Sequence, residues 1–187
     1  MSVAIERRIG PVSAMRFWGI YKEQFIPLTE DAPVYQMLPL WQWLRAMFSP
    51  RFYKFVNRDE HGGMVSLGVM GTRLEDFPFL SVPYFRKHFP EHYSGRRLLY
   101  FIALVTRPGM EGKGEAEALM HLMADTVADR DGIAIFDVCT ANAMSGLPEA
   151  IHAMASQYGD VDPIIELGIE RYAGIDESDQ LQPFALR

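Results

Sequence analysis

The chain has 187 residues, 49% of them hydrophobic and 22% charged, which suits one domain with a sizeable core and excludes wholesale disorder. Its formal net charge of −6 lacks the broad basic footprint that sequence-independent nucleic-acid binding requires. A single cysteine, Cys139, excludes an internal disulfide framework and a Cys-rich zinc site.

Residues Met1 to Arg8 have no apolar segment behind their charges, so they do not read as a signal peptide. No stretch approaches the roughly 20 apolar residues that span a bilayer. The expectation is a cytoplasmic protein without membrane or nucleic-acid partners. Phe17, Trp18, Ile20, Tyr21 and Phe25 suggest a first helix, and Leu40, Trp41, Trp43, Leu44, Met47 and Phe48 form a second helical stripe. The period then changes. Arg51 to Val56 reads as a strand, Asn57 to Gly63 as a turn, and Met64 to Leu74 as a second strand, together an antiparallel hairpin. Residues 75 to 97 are rich in Pro, Phe and His and predict a loop or short helix. His88 and His92 would share a face if that segment is helical.

Leu98 to Val105 is almost continuously apolar, as a strand buried on both faces should be. Arg107-Pro108-Gly109-Met110-Glu111-Gly112-Lys113-Gly114 follows. Ala116, Leu119, Met120, Met123 and Val127 then mark a helix over 113 to 130. A strand feeding a glycine turn feeding a helix presents bare backbone N–H groups at a positive helix end, a site for phosphate or pyrophosphate. Ile133 to Val138 predicts the next strand, apolar except for Asp137. Glu149 to Tyr158 predicts a helix stopped by Gly159. Residues 164 to 172 alternate as a strand, and 183 to 187 read as a short last strand whose edge could pair two copies in a homodimer. Strand, helix, strand, helix and two strands argue an α/β fold with a mixed sheet.

This organisation resembles the GCN5-related N-acetyltransferase (GNAT) fold over most of the chain. That family carries Arg/Gln-x-x-Gly-x-Gly/Ala at the start of its central helix. The matching stretch here is Glu111-Gly112-Lys113-Gly114-Glu115-Ala116, with Glu111 departing from the family's Arg or Gln. The resemblance implies an α/β (α+β) fold whose mixed, mostly antiparallel sheet has helices on both faces and one splayed pair of strands. It implies acetyl-CoA or another acyl-CoA as co-substrate and no metal. Backbone groups of Leu104, Val105 and Thr106 would pair with pantetheine, while Gly112, Lys113, Gly114, Glu115 and Ala116 would face the pyrophosphate. Asn142 would serve either the pantetheine arm or a turn.

The implied reaction is direct transfer of an acyl group, in the first instance acetyl, to an amine of a small molecule or peptide. Acyl transfer to an amine needs a base for the ammonium proton and an acid for the leaving thiolate. The family's acid is a Tyr four residues before a Gly. That position is Ala155, and Tyr158 beside Gly159 is the alternative. Glu75, adjacent to Asp76, is a candidate base at the end of the hairpin. Asp137 either faces the acceptor or accepts a structural hydrogen bond. Met70-Gly71-Thr72-Arg73-Leu74 also resembles the acyl-homoserine-lactone and N-acyl amino acid synthase branch of the fold. A fold relative that has lost catalysis and binds a ligand is the third reading. Cys139 reads as a buried thiol rather than a nucleophile.

Overall fold

Five strands form one sheet in the order β1 (Ser2–Glu6), β2 (Phe52–Arg58), β3 (Met64–Gly71), β4 (Leu98–Thr106) and β5 (Ile133–Ile135). The first four are antiparallel neighbours, and β5 runs parallel to β4. The helices are α1 (Pro11–Asp31), α2 (Leu40–Phe48), α3 (Val82–His88), α4 (Pro90–Ser94), α5 (Glu115–Ala128), α6 (Thr140–Met144) and α7 (Leu147–Ser156). The computed structural model describes residues 2–31, 37–110, 112–138, 140–156 and 167. Glu111, Cys139, Tyr158, Gly159 and the strands expected over 164 to 172 and 183 to 187 lie outside the described residues, as does the side chain of Ala155.

The two faces of the sheet carry separate apolar layers. On one, Phe17, Tyr21 and Trp43 of α1 and α2 pack with Val56, Leu67, Leu98 and Tyr100. Tyr21 stacks on Trp43 with ring centroids 4.6 Å apart, and the Trp43 indole N–H donates to the Ala14 carbonyl at 3.0 Å. On the other face, Leu119 and Met123 of α5 cover Tyr53, Phe55, Met70 and Leu99. Each fully buried large side chain stabilises by about 1.5–3 kcal/mol. Gly68 lets α5 settle, because a Cβ there would stand 2.6 Å from the Met123 sulfur. Most of the aromatics between 40 and 55 therefore serve as core, although Trp41 is 61% exposed.

Four expectations change in detail. The strand expected to reach Leu74 ends at Gly71, where Leu74 and Phe77 turn back into the core and Leu74–Asp76 forms a 3₁₀ turn. Residues 82 to 94 hold two short helices broken at Phe89, so His88 and His92 fall on different helices. The strand expected over 133 to 138 stops at Ile135. Finally, Ser2–Glu6 pairs with β2, a strand the sequence reading does not contain. Among the described residues, no helix is long and apolar enough to cross a membrane.

Candidate active site: a splayed strand pair and a glycine turn

The β4–β5 ladder has three register pairs, Leu98 with Ile133, Leu99 with Ala134 and Tyr100 with Ile135. Beyond Tyr100, β4 continues from Phe101 to Thr106 while residues 136 to 138 leave the sheet. The two chains part there, and one edge of β4 is left without a strand partner among the described residues. A bulge lies in the same stretch: Val69 pairs with Ala103 and Met70 with Phe101, so Ile102 is the extra residue on β4. The bulge puts both Ile102 and Ala103 on the α1/α2 side, whereas Phe101 and Leu104 face α5. Val105 is buried beneath α1 and α2.

At the far end of β4, the Arg107 N–H donates to the Val65 carbonyl of β3. In a trans peptide the Thr106 carbonyl then points the other way, toward the open edge. There it accepts from the Gln24 side-chain amide of α1 at 2.7 Å. The sequence reading does not single out Gln24, because only packing of α1 against β4 brings it there.

The turn that follows has the backbone its glycines imply. Gly109, Gly112 and Gly114 have φ of 82°, 69° and 79°, a region costly for residues with a Cβ. Ideal Cβ atoms at Gly109 and Gly112 meet nothing within 4 Å. Gly114 caps α5 without help from any side chain. Among the described residues, no backbone carbonyl accepts from the N–H of Lys113, Gly114 or Ala116. These donors sit at the positive end of a 14-residue helix. Both neighbouring cations are engaged within the protein: Lys113 donates to the Gly109 carbonyl at 2.9 Å, and Arg107 lies 3.5 Å from Asp59.

Glu115 takes a different position from the one expected for a phosphate-facing residue. Its side chain turns under the sheet, is 5% exposed, and accepts from the Asn57 amide. The Ser66 hydroxyl donates to its backbone carbonyl at 3.4 Å. Only its backbone therefore belongs to the turn. Asn142 lies half-buried in α6, and its carbonyl accepts from the Ser145 hydroxyl at 2.9 Å.

Asp137 stands two residues beyond the last β4–β5 pair, and its carboxylate accepts a hydrogen bond from the Tyr100 hydroxyl. Burial first, then the charge and hydrogen bond of Asp137, push the Tyr100 hydroxyl far above its ordinary pKa, so it stays a donor. Glu75 is placed elsewhere. Its carboxylate accepts from the Tyr93 hydroxyl at 2.5 Å, and that bond holds its pKa below the usual value, which weakens it as a base. It lines a cavity of about 220 Å³ with Thr72, Arg73 and Arg96, past the end of β3. Among the described residues, no group of three or more His, Cys, Asp or Glu is arranged to hold a metal ion.

The open edge of β4, the bulge and the glycine turn follow one another along the same strand. The fold is that of the GCN5-related N-acetyltransferases. A candidate acetyltransferase of Agrobacterium tumefaciens aligns over 91% of this chain and 100% of its own, at 14% identity and a TM-score of 0.52. The structure of AAC(6')-Iy in complex with the bisubstrate analogue CoA-S-monomethyl-acetylneamine aligns over 92% and 100%, at 12% identity and a TM-score of 0.51. At these identities the likeness is one of GNAT fold. Neither a protein-family model nor a curated protein matches the sequence.

Proposed function

We propose that the protein is an acyl-CoA-dependent N-acyltransferase, with acetyl-CoA as the donor and an amine as the acceptor. The observation that carries this reading is the end of the β4–β5 ladder at Tyr100 and Ile135, with the open β4 edge leading to the Gly112–Gly114 turn. An acyl-CoA contributes an acyl thioester. The chain contributes backbone: the open edge of β4 from Phe101 to Val105 for the amides of the pantetheine arm, the Thr106 carbonyl being held by Gln24, and the N–H groups of Lys113, Gly114 and Ala116 for the diphosphate. The fit is supported by the open space before Gly112. It is also supported by the GNAT-fold structure bound to a CoA-containing bisubstrate analogue.

Asp137 has the chemistry of the general base. It stands two residues past the last β4–β5 pair, and the Tyr100 O–H fixes one of its oxygens, leaving the other to accept a proton from an incoming ammonium. Tyr100 is a positioning residue, because its proton is committed to Asp137. Tyr158 remains the candidate acid by its place after α7. The same neighbour's analogue carries an acetylated amine, which favours an acetyl donor over the long acyl chains of the synthase branch.

Calorimetry with acetyl-CoA, followed by thiol release in the presence of an amine panel, tests the proposal. Saturable binding and amine-dependent thiol release are expected. No binding at millimolar acetyl-CoA would sink it, and binding without turnover would leave a GNAT-fold ligand-binding protein.

A further inference from the structure

Five chain segments converge at the end of the sheet away from the glycine turn, and each brings an arginine. Arg7 follows β1, Arg51 precedes β2, Arg73 follows β3, Arg96 precedes β4 and Arg130 follows α5. With Tyr53 they line an open surface depression of about 430 Å³. The Tyr53 ring is 6% exposed. The guanidinium carbons of Arg7 and Arg130 lie 4.3 and 5.2 Å from its centroid, and Arg130 donates to its hydroxyl. Among the described residues, none of the five forms an ion pair, whereas Arg45, Arg58, Arg97 and Arg107 each do. Acidic residues outnumber Lys and Arg by 24 to 18 in this chain. A depression lined by five arginines without an ion pair among the described residues is therefore not a consequence of composition.

Arg96 has φ of 53°, a left-handed backbone that a residue with a side chain rarely adopts. It lines both this cavity and the adjoining one, where Glu75 is held by Tyr93 and feels the charges of Arg73 and Arg96 without forming an ion pair with either. The buried ammonium of Lys54, bound to the Arg7 and Ser49 carbonyls, has its pKa lowered to about 8 by burial and by the charges of Arg7 and Arg8.

We infer that this cleft binds a small anion carrying two or more phosphate groups. The planar forked guanidinium matches phosphate oxygens pairwise, and with Arg7 and Arg130 seated on Tyr53, the lining Arg51, Arg73 and Arg96 offer more forks than one carboxylate or orthophosphate engages. The site is separate from the glycine turn. The nine residues of β4 lie between them, roughly 26 Å at about 3.3 Å per residue.

The probe is inorganic pyrophosphate, titrated by calorimetry into the full chain at low salt. Because the glycine turn could also take pyrophosphate, two variants are compared: Arg73→Gln/Arg96→Gln in the cleft and Gly114→Ala in the turn. The expected result is at least a tenfold loss of pyrophosphate affinity in the cleft variant and less than a twofold loss in the turn variant. Pyrophosphate should also bind at least tenfold more tightly than orthophosphate. Full affinity in the cleft variant, loss only in the turn variant, no binding to the native chain, or equal affinity for the two anions would each overturn the inference. A thermal melt checks that the cleft variant is folded, and Arg51→Gln supplies an independent second substitution. Acetyl-CoA titrated into the same cleft variant reports separately on the acyltransferase reading.

Discussion

The Tyr100 hydroxyl donates to the carboxylate of Asp137 at the point where β4 and β5 part, joining residues 37 positions apart in sequence. If Asp137 accepts the amine proton, Asp137→Asn lowers kcat by roughly 10² to 10⁴. Tyr100→Phe keeps the carboxylate but frees it to rotate, and a drop of roughly tenfold is expected. Steady-state kinetics with acetyl-CoA and a responsive amine check both. The acetyl-CoA KM should change little, and an unchanged kcat in Asp137→Asn would remove the residue from the chemistry.

Gly112→Ala and Gly114→Ala place a Cβ on backbones with φ of 69° and 79°. Neither meets a steric obstacle nearer than the Glu117 carboxylate 3.9 Å from the Gly114 position. The cost is therefore conformational, about 1–2 kcal/mol at each position. Calorimetry should show acetyl-CoA affinity falling roughly tenfold, in line with that energy. Affinity equal to the native chain's would mean that the turn does not shape the site.

Glu115, Asn57 and Ser66 form a buried polar knot between the first turn of α5 and the β2–β3 hairpin. Glu115→Ala leaves the Asn57 amide unpaired in the core, a loss of about 2–4 kcal/mol. Chemical denaturation of the two single variants and of Asn57→Ala/Glu115→Ala gives the coupling. The double variant should lose less than the sum of the singles.

Lys54 sets a pH dependence whose sign follows from its lowered pKa. Burial, then Arg7 and Arg8, bring it from 10.5 to about 8 in the folded chain. Between those values the unfolded chain binds more protons than the folded one, so stability rises with pH. Below about 8 the penalty of the buried charge is fully present. Denaturation of the native chain and of Lys54→Met at pH 7.5 and pH 9.5 isolates this contribution. The native chain should gain on the variant at the higher pH by up to a few kcal/mol. A gap that narrows or stays constant would contradict a depressed pKa.

The periodic elements were legible in the sequence because each buries a face by local spacing. The stripe of Leu119 and Met123, the aromatic faces of α1 and α2, and the apolar run of β4 are all found as read. The glycine turn was legible for the same reason, since Gly112 and Gly114 are local demands of the backbone. The N-terminal strand was not, because Ser2–Glu6 lies at the sheet edge, largely exposed on both faces, and carries little alternation to read.

What only the tertiary structure decided is where separate segments meet. Ending β5 at Ile135, joining Tyr100 to Asp137, bringing Gln24 to Thr106 and turning Glu115 inward onto Asn57 are all long-range choices. So is the gathering of Arg7, Arg51, Arg73, Arg96 and Arg130 around Tyr53. A single chain records the face each residue turns to the core, through periods of 2.0 and 3.6 residues. It does not record which distant edge or loop will stand opposite, because that depends on how whole layers pack.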